Sequence, residues 1–194
     1  MPAGADEQAL TEARRKPGLP GLPKLYALML TPAAVVLAVD QATKLWATST
    51  LSDGRHITVI PEFIQLRLVY NPGAAFSIGS GATWVFALIT AAAVVGILYA
   101  GRRLGSRAWA VGLGIPLGGA TSHLLDRLLR EPGFARGHVV DFIDYNGFFV
   151  GNVADIALTG GAALLMLLSL RDIPFTGTPA RTEDPAPLPD RSEA

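Results

Sequence analysis

Apolar residues in this chain gather into four long runs, separated by shorter polar segments. The runs extend from about Leu25 to Trp46, Thr83 to Tyr99, Ala108 to Leu128 and Phe149 to Leu170. Each is near the roughly 20 residues that a membrane-crossing helix needs. The second is the cleanest, since Trp84 to Ala100 carries no charge. Between the first two runs the period changes. In His56 to Tyr70, Ile64, Leu66 and Leu68 alternate with Gln65 and Arg67 among β-branched neighbours, the pattern of short strands. Asn71-Pro72-Gly73 then reads as a turn. The pattern predicts an all-α membrane protein with four transmembrane helices and a small β-rich extracytoplasmic loop domain between spans one and two. That loop, residues 49–80, is expected to form a platform.

Inside the spans, Gly114 with Gly118, and Ala157 with Gly161, are spaced for close helix approach, and Pro116 is expected to kink span three. No internal repeat is visible. The ends are polar and rich in proline, with little to bury. The expected organisation is a disordered tail over 1–24, a transmembrane domain over 25–170 and a second disordered tail over 171–194.

Composition agrees with a small polytopic protein: 194 residues, 50% hydrophobic and 16% charged. Sixteen basic residues balance sixteen acidic ones, which gives no support to nucleic-acid binding. Cysteine is absent, which excludes disulfides, thiolate metal sites and a cysteine nucleophile. The three histidines, His56, His123 and His138, form no H-E-x-x-H pattern, so neither a metal nor another cofactor is expected. Charge does orient the chain. Arg14, Arg15, Lys16 and Lys24 precede span one; Arg102, Arg103 and Arg107 fill the link between spans two and three; Arg171 follows span four. The positive-inside rule then places both termini in the cytoplasm and the two longer loops outside. Span one also resembles a cleaved signal peptide in outline, but Asp40, Lys44 and the lack of a small-x-small site argue against that.

This threading collects polar residues near one membrane face. Asp40 and Lys44 share a helix face at i, i+4 in the outer part of span one. His123, Asp126 and Arg127 close span three, and Asn152 and Asp155 open span four. Asp155 is expected about six residues into its span, roughly 9 Å along the axis. Asp141 precedes that span and can fold back toward it. Structural explanations compete at several positions. Asp40 and Lys44 can simply neutralise one another, Asp126 beside Arg127 can be scaffold, Asp144 fits a solvated turn, and His138 a loop. Asp155 is harder to dismiss, because an acid among apolar neighbours is costly unless it has a function or a partner. Two carboxyls sharing a site stay half-protonated near neutral pH, one serving as base and the other as acid. Asp141 and Asp155 are the pair expected to do this.

The segments Asp40-Gln41-Ala42-Thr43-Lys44, Asn71-Pro72-Gly73-Ala74-Ala75-Phe76, Gly118-Gly119-Ala120 through Asp126-Arg127, Val139-Val140-Asp141-Phe142 and Asn152-Val153-Ala154-Asp155 occur in this order. Together they resemble the lipoprotein signal peptidase (signal peptidase II) family, over about Leu25 to Leu170. The resemblance implies an intramembrane aspartic endopeptidase of the bacterial inner membrane, facing the outer leaflet. Its implied substrates are diacylglyceryl-modified prolipoproteins, cut just before the lipidated cysteine, with membrane lipid as the surroundings and no cofactor. By motif position Asp141 and Asp155 match the catalytic aspartates. Asp40, Lys44, Asn71, Arg127 and Asn152 match positions that line or support the site, and Asp126 a further supporting one. Gly73, with Ala74 and Ala75, is expected to keep the backbone close to substrate.

Three departures stand out: His123 replaces the family's Asn, Gly151 replaces an aromatic, and the stretch from Asp126 to Asp141 is longer than usual. Two other classes would also use intramembrane carboxylates. A carrier is expected to show internal repeats and broken helices; an assembly factor would have no use for an unpaired Asp155. Oligomeric state is not legible.

Overall fold

The computed structural model describes residues 22–73 and 80–176. The element order is α1 (Leu22–Thr50), β1 (Ile57–Ile60), β2 (Ile64–Asn71), a 3-10 turn (Ser80–Ala82), α2 (Thr83–Gly101), α3 (Arg107–Leu129), β3 (Val139–Asp144), β4 (Val150–Gly151) and α4 (Val153–Leu170). Among the described residues, three helical stretches are long and apolar enough to cross a membrane: Lys24–Thr50, Thr83–Gly101 and Val153–Leu170. The remaining helix, α3, is the least apolar and the most enclosed. It packs against α1, α2 and α4, and more than half of its residues are buried, whereas α2 and α4 each bury few. Its neighbours are other helices, so it can use glycine where a lipid-facing helix needs bulk. A Cβ on Gly118 would lie 2.5 Å from the Ala33 carbonyl oxygen of α1, and one on Gly119 would lie 2.8 Å from that of Ala154 in α4. Gly114 meets the Met29 carbonyl in the same way, and Gly161 of α4 rests on Pro116. The expected small-residue contacts at Gly114, Gly118 and Gly161 are thus present.

The β structure differs from expectation in its extent. It is a four-stranded antiparallel sheet in the order β1-β2-β3-β4. Half of it comes from the loop between α1 and α2, and half from the loop between α3 and α4. The fold is therefore mixed helix and sheet, and the β-rich part is not confined to residues 49–80. Strand pairing across two distant loops leaves no local trace beyond the alternation in each. The sheet sits on the end of α1: Leu66, Leu68, Ile57 and Ile143 pack around buried Ala47, Leu51 and Phe142. Trp46 meets the Phe142 ring edge-on at 6.4 Å.

Asp144 lies in β3 and is 5% exposed, paired through its Oδ2 with Arg67 Nε at 2.6 Å, so it does not belong to a solvated turn. The last helix also starts later than expected. Phe149 to Gly151 lead through β4, and α4 opens at Val153. Asp155 therefore stands in the first turn and not several residues deep. Past α4, the chain to Thr176 folds back on α3: Trp109 Nε1 donates to the Ile173 carbonyl at 2.7 Å and packs edge-on against Phe175. The rest of both expected tails, and residues 74–79 of the expected platform, lie outside the described residues.

Candidate active site

Asn152 is the N-cap of α4. Its Oδ1 accepts from the Asp155 backbone N–H at 3.0 Å, and the Asp155 carboxylate accepts from the Asn152 N–H at 2.9 Å. This reciprocal capping box satisfies two N–H groups that a helix end otherwise leaves open. It also fixes the position of Asp155. The same Asn152 reaches the other way: Nδ2 donates to Asp141 Oδ1 at 2.7 Å and to the Val140 carbonyl at 3.2 Å. One side chain therefore holds the segments that carry both aspartates.

Asp141 lies on β3 and is 3% exposed. Its second oxygen accepts from Asn71 Nδ2 at 3.0 Å. That contact depends on a bulge. Leu66 pairs with Ile143 and Val69 with Asp141, so β2 takes one residue more than β3 over the same stretch. The extra residue reverses the side-chain phase, turning Val69 and Asn71 onto the Asp141 side of the sheet. Uninterrupted alternation from Leu66 would point Asn71 away. Burial pushes the Asp141 carboxyl up to about 7, and the nearby Asp155 charge adds to the effect.

Asp141 and Asp155 line one cavity of about 240 Å³, together with Asn71, Gly73, His123 and Arg127. Its apolar walls include Phe86, Ile89 and Phe149. His123 Nε2 stands 3.3 Å from Asn152 Oδ1 and 3.5 Å from Asp155 Oδ1. Arg127 does not pair with its neighbour Asp126. Its Nη1 donates to the carbonyls of Asn71 at 3.0 Å and Gly137 at 3.1 Å, and its Nη2 donates to that of Gly73. Three carbonyls from two loops thus converge on one guanidinium, which lies 5.8 Å over the Phe86 ring. Gly73 N in turn donates to Asn71 Oδ1 at 2.9 Å, setting the rotamer that aims Asn71 Nδ2 at Asp141.

The remaining charged residues form a buried layer beneath the cavity. Lys44, fully buried, lies 2.6 Å from Asp40 Oδ2 and 2.7 Å from Asp126 Oδ2. Asp126 Oδ1 also takes Arg130 Nε at 2.7 Å, so two cations balance two carboxylates. Asp40 spans two helices, accepting from Ser122 Oγ at 2.6 Å and from the Ala154 N–H at 2.8 Å. Gln41 bridges Ser122 Oγ at 2.8 Å and Asp126 Oδ1 at 3.0 Å. The sequence reading paired Asp40 with Lys44 but missed Ser122, Gln41 and Arg130. Their signal was available: Gln41 follows Asp40, while Ser122 and Arg130 stand at i−4 and i+4 from Asp126.

Of the ten expected site residues, Asn71, Gly73, His123, Arg127, Asp141 and Asp155 line the cavity, Asn152 is buried against the two aspartates, and Asp40, Lys44 and Asp126 form the buried ionic cluster. His138 lies apart, in the loop before β3. Gly151 also has a local reason: a Cβ there would stand 2.6 Å from Phe149 Cε1 and 2.9 Å from Asp155 Oδ2. The Phe149 ring fills the space that a side chain at 151 would need.

Comparison with known proteins points the same way. The family described as Signal peptidase (SPase) II matches residues 32–171. The lipoprotein signal peptidase of Mycolicibacterium smegmatis is 46% identical over 169 residues, covering 87% of this chain and 72% of the relative. That of Mycobacterium avium is 49% identical over 148 residues, covering 76% of this chain and 81% of the relative. Two solved structures of bacterial membrane enzymes match with TM-scores of 0.66 and 0.64, at 32% and 31% identity. Each covers 74% of this chain, and 88% and 93% of its own chain is matched. A match over most of the chain, at this identity and with the same fold, makes the chain a member of the signal peptidase II family.

Proposed function

We propose that the chain carries out its family's reaction, removal of the signal peptide from prolipoproteins, with Asp141 and Asp155 as the catalytic pair. The observation that carries this is the double engagement of Asn152, which ties both carboxylates to one cavity. Asp141, held protonated near neutral pH by its burial, polarises the scissile carbonyl and later protonates the leaving amine. Asp155, the more open of the two, takes a proton from the attacking water. Asn71 and Asn152 orient Asp141, and His123 orients Asp155. Arg127 and Gly73 set the loop that carries Asn71, while Asp40, Lys44 and Asp126 hold α1, α3 and α4 in register.

The substrate is the diacylglyceryl-modified prolipoprotein, cut just before its lipidated cysteine. We further assign α3 as a fourth membrane crossing, with both termini cytoplasmic and the aspartates toward the outer leaflet. The lysine and arginine distribution supports that orientation. The test is incubation of the purified protein in detergent with lipidated prolipoprotein. Asp141→Asn and Asp155→Asn should each abolish cleavage while the protein stays folded by thermal melt. Normal turnover by either variant would refute the pair.

A further inference from the structure

A second polar depression shares no lining residue with the catalytic cavity. About 390 Å³ in volume, it is lined by Gly81, Thr83, Trp84, Pro132, Arg136 and His138. It joins the start of α2 to the loop after α3, the stretch that is longer than the family pattern. That loop is a folded clasp. Arg136 N donates to the Gly133 carbonyl at 2.9 Å, Gly137 N to that of Arg127 at 3.0 Å, and His138 N to that of Glu131 at 3.0 Å. Gly137 lies so close to the end of α3 that a Cβ there would collide with the Asp126 carbonyl. The clasp thus fixes the backbone of Arg136 and His138 on either side. Arg136 is exposed and makes no ion pair among the described residues. No acidic residue lines the depression, since Glu131 lines a neighbouring one with Arg130. The helix that begins at Thr83 is long and apolar enough to cross a membrane, so the depression stands level with a membrane surface. Trp84 in its wall is 53% exposed and Phe134 of the loop 79%. Aromatic rings beside a cation at that level suit the boundary between headgroups and acyl chains.

We propose that this depression binds the phosphate of an anionic phospholipid and, once filled, braces the catalytic site. Charge selects the headgroup. Arg136 and His138 donate to the phosphate, while the ammonium of a zwitterionic headgroup finds no carboxylate there. The exposed rings of Trp84 and Phe134 favour a lipid over a soluble anion. Bracing follows from two contacts. Thr83 Oγ1 donates to the carbonyl of Pro72, the residue between Asn71 and Gly73, at 2.8 Å. The Gly137 carbonyl accepts from Arg127 Nη1 at 3.1 Å. A phosphate held between the start of α2 and the clasp ties these two supports together. Both lead to Asn71, which donates to Asp141. The bracing rests on the proposed cleavage reaction, and the binding does not.

The test is native mass spectrometry of the full chain in detergent, titrated with phosphatidylglycerol or phosphatidylcholine of the same acyl chains. The first phosphatidylglycerol should bind more tightly than the first phosphatidylcholine. Arg136→Gln should weaken it about tenfold, the effect of one lost charge-assisted contact. Equal affinity for the two lipids, or no loss in Arg136→Gln, overturns the site. Inorganic phosphate at matched concentration should not displace the lipid, and displacement would make this a soluble-anion site and overturn the assignment. Should Arg136→Gln fold poorly, phosphatidylglycerol with a photoreactive headgroup is applied to the unaltered protein. Labelling within residues 81–84 or 132–138 supports the site, and labelling confined to other segments overturns it. Bracing is read from turnover of lipidated prolipoprotein. Phosphatidylglycerol should raise kcat in the unaltered protein and leave it flat in Arg136→Gln, whose kcat without added lipid should match. A rise in both proteins, or in neither, overturns the bracing. The binding measurement needs no cleavage, so its failure is distinct from failure of the proposed reaction.

Discussion

Asp141 combines nearly complete burial with two amide donors, and burial dominates. Its carboxyl is raised from an ordinary 3.8 to about 7, so activity that needs it protonated should be present below neutral pH and fall as pH rises through about 7. A kcat/KM profile flat to pH 9 would remove Asp141 from the acid role. The same shift has a consequence for stability. An acid whose folded-state value exceeds its unfolded one favours folding fully below about 4 and loses that contribution as pH climbs toward 7. The slope is at most about 1.4 kcal/mol per pH unit. Asp141→Asn should therefore come closest to the unaltered protein's thermal stability near pH 3 and exceed it near pH 8; the reverse order would show that the carboxylate is welcome when charged. His123 touches Asp155 and Asn152 from the other side. His123→Asn keeps a side-chain amide donor there, so activity should persist and the fall above about pH 7 should remain. Loss of cleavage in that variant would show that the imidazole itself is needed.

At the scale of elements, the site depends on how three helices meet. Lys44 stands between carboxylates from α1 and α3, and Asp40 extends the link to the first turn of α4 through the Ala154 N–H. Removing one partner from such a buried group leaves an uncompensated charge, at a cost of about 3–5 kcal/mol. Lys44→Met should show that loss in denaturant or thermal unfolding and should lower kcat with it. A stable, fully active variant would reduce the layer to bystander status. Packing imposes a separate demand on α3. Gly118→Leu would drive a Cβ to within 2.5 Å of the Ala33 carbonyl and 2.8 Å of Val36 Cβ, so α1 and α3 would have to separate. The expected cost is about 1–3 kcal/mol, readable as a lower melting temperature, whereas Gly160→Leu, where a Cβ would meet no atom within 4 Å, should carry no such cost.

Over the whole molecule, the membrane supplies what the small sheet and bundle lack. Leu88, Ile89 and Val95 of α2 and Ile156, Met166 and Leu170 of α4 are all more than half exposed, an arrangement suited to hydrocarbon surroundings. A substrate held in the same bilayer by lipid and signal helix is concentrated at the site before any specific contact forms. Unmodified prolipoprotein should accordingly be cut far more slowly than the lipidated form, and equal rates would contradict an anchoring role for the lipid. Reporter fusions at each end should read cytoplasmic if the charge distribution sets topology.

Sequence by itself determined the apolar runs, their approximate limits and the short strands between the first two runs, because burial in lipid and strand alternation are written in local periodicity. It also supplied most of the charged residues of the site, since charges stand out against an apolar background, but not Ser122, Gln41 or Arg130. Tertiary structure decided which of them meet. The bulge between Leu66 and Val69, which turns Asn71 to Asp141, depends on pairing with a strand some 70 residues away. The reach of Asn152 back to β3, the pairing of Arg127 with distant carbonyls and not with Asp126, and the entry of β3 and β4 into one sheet with β1 and β2 likewise depend on contacts between elements. Contacts of that kind arise from how packed elements fit together, and the order of residues along a single segment does not encode them.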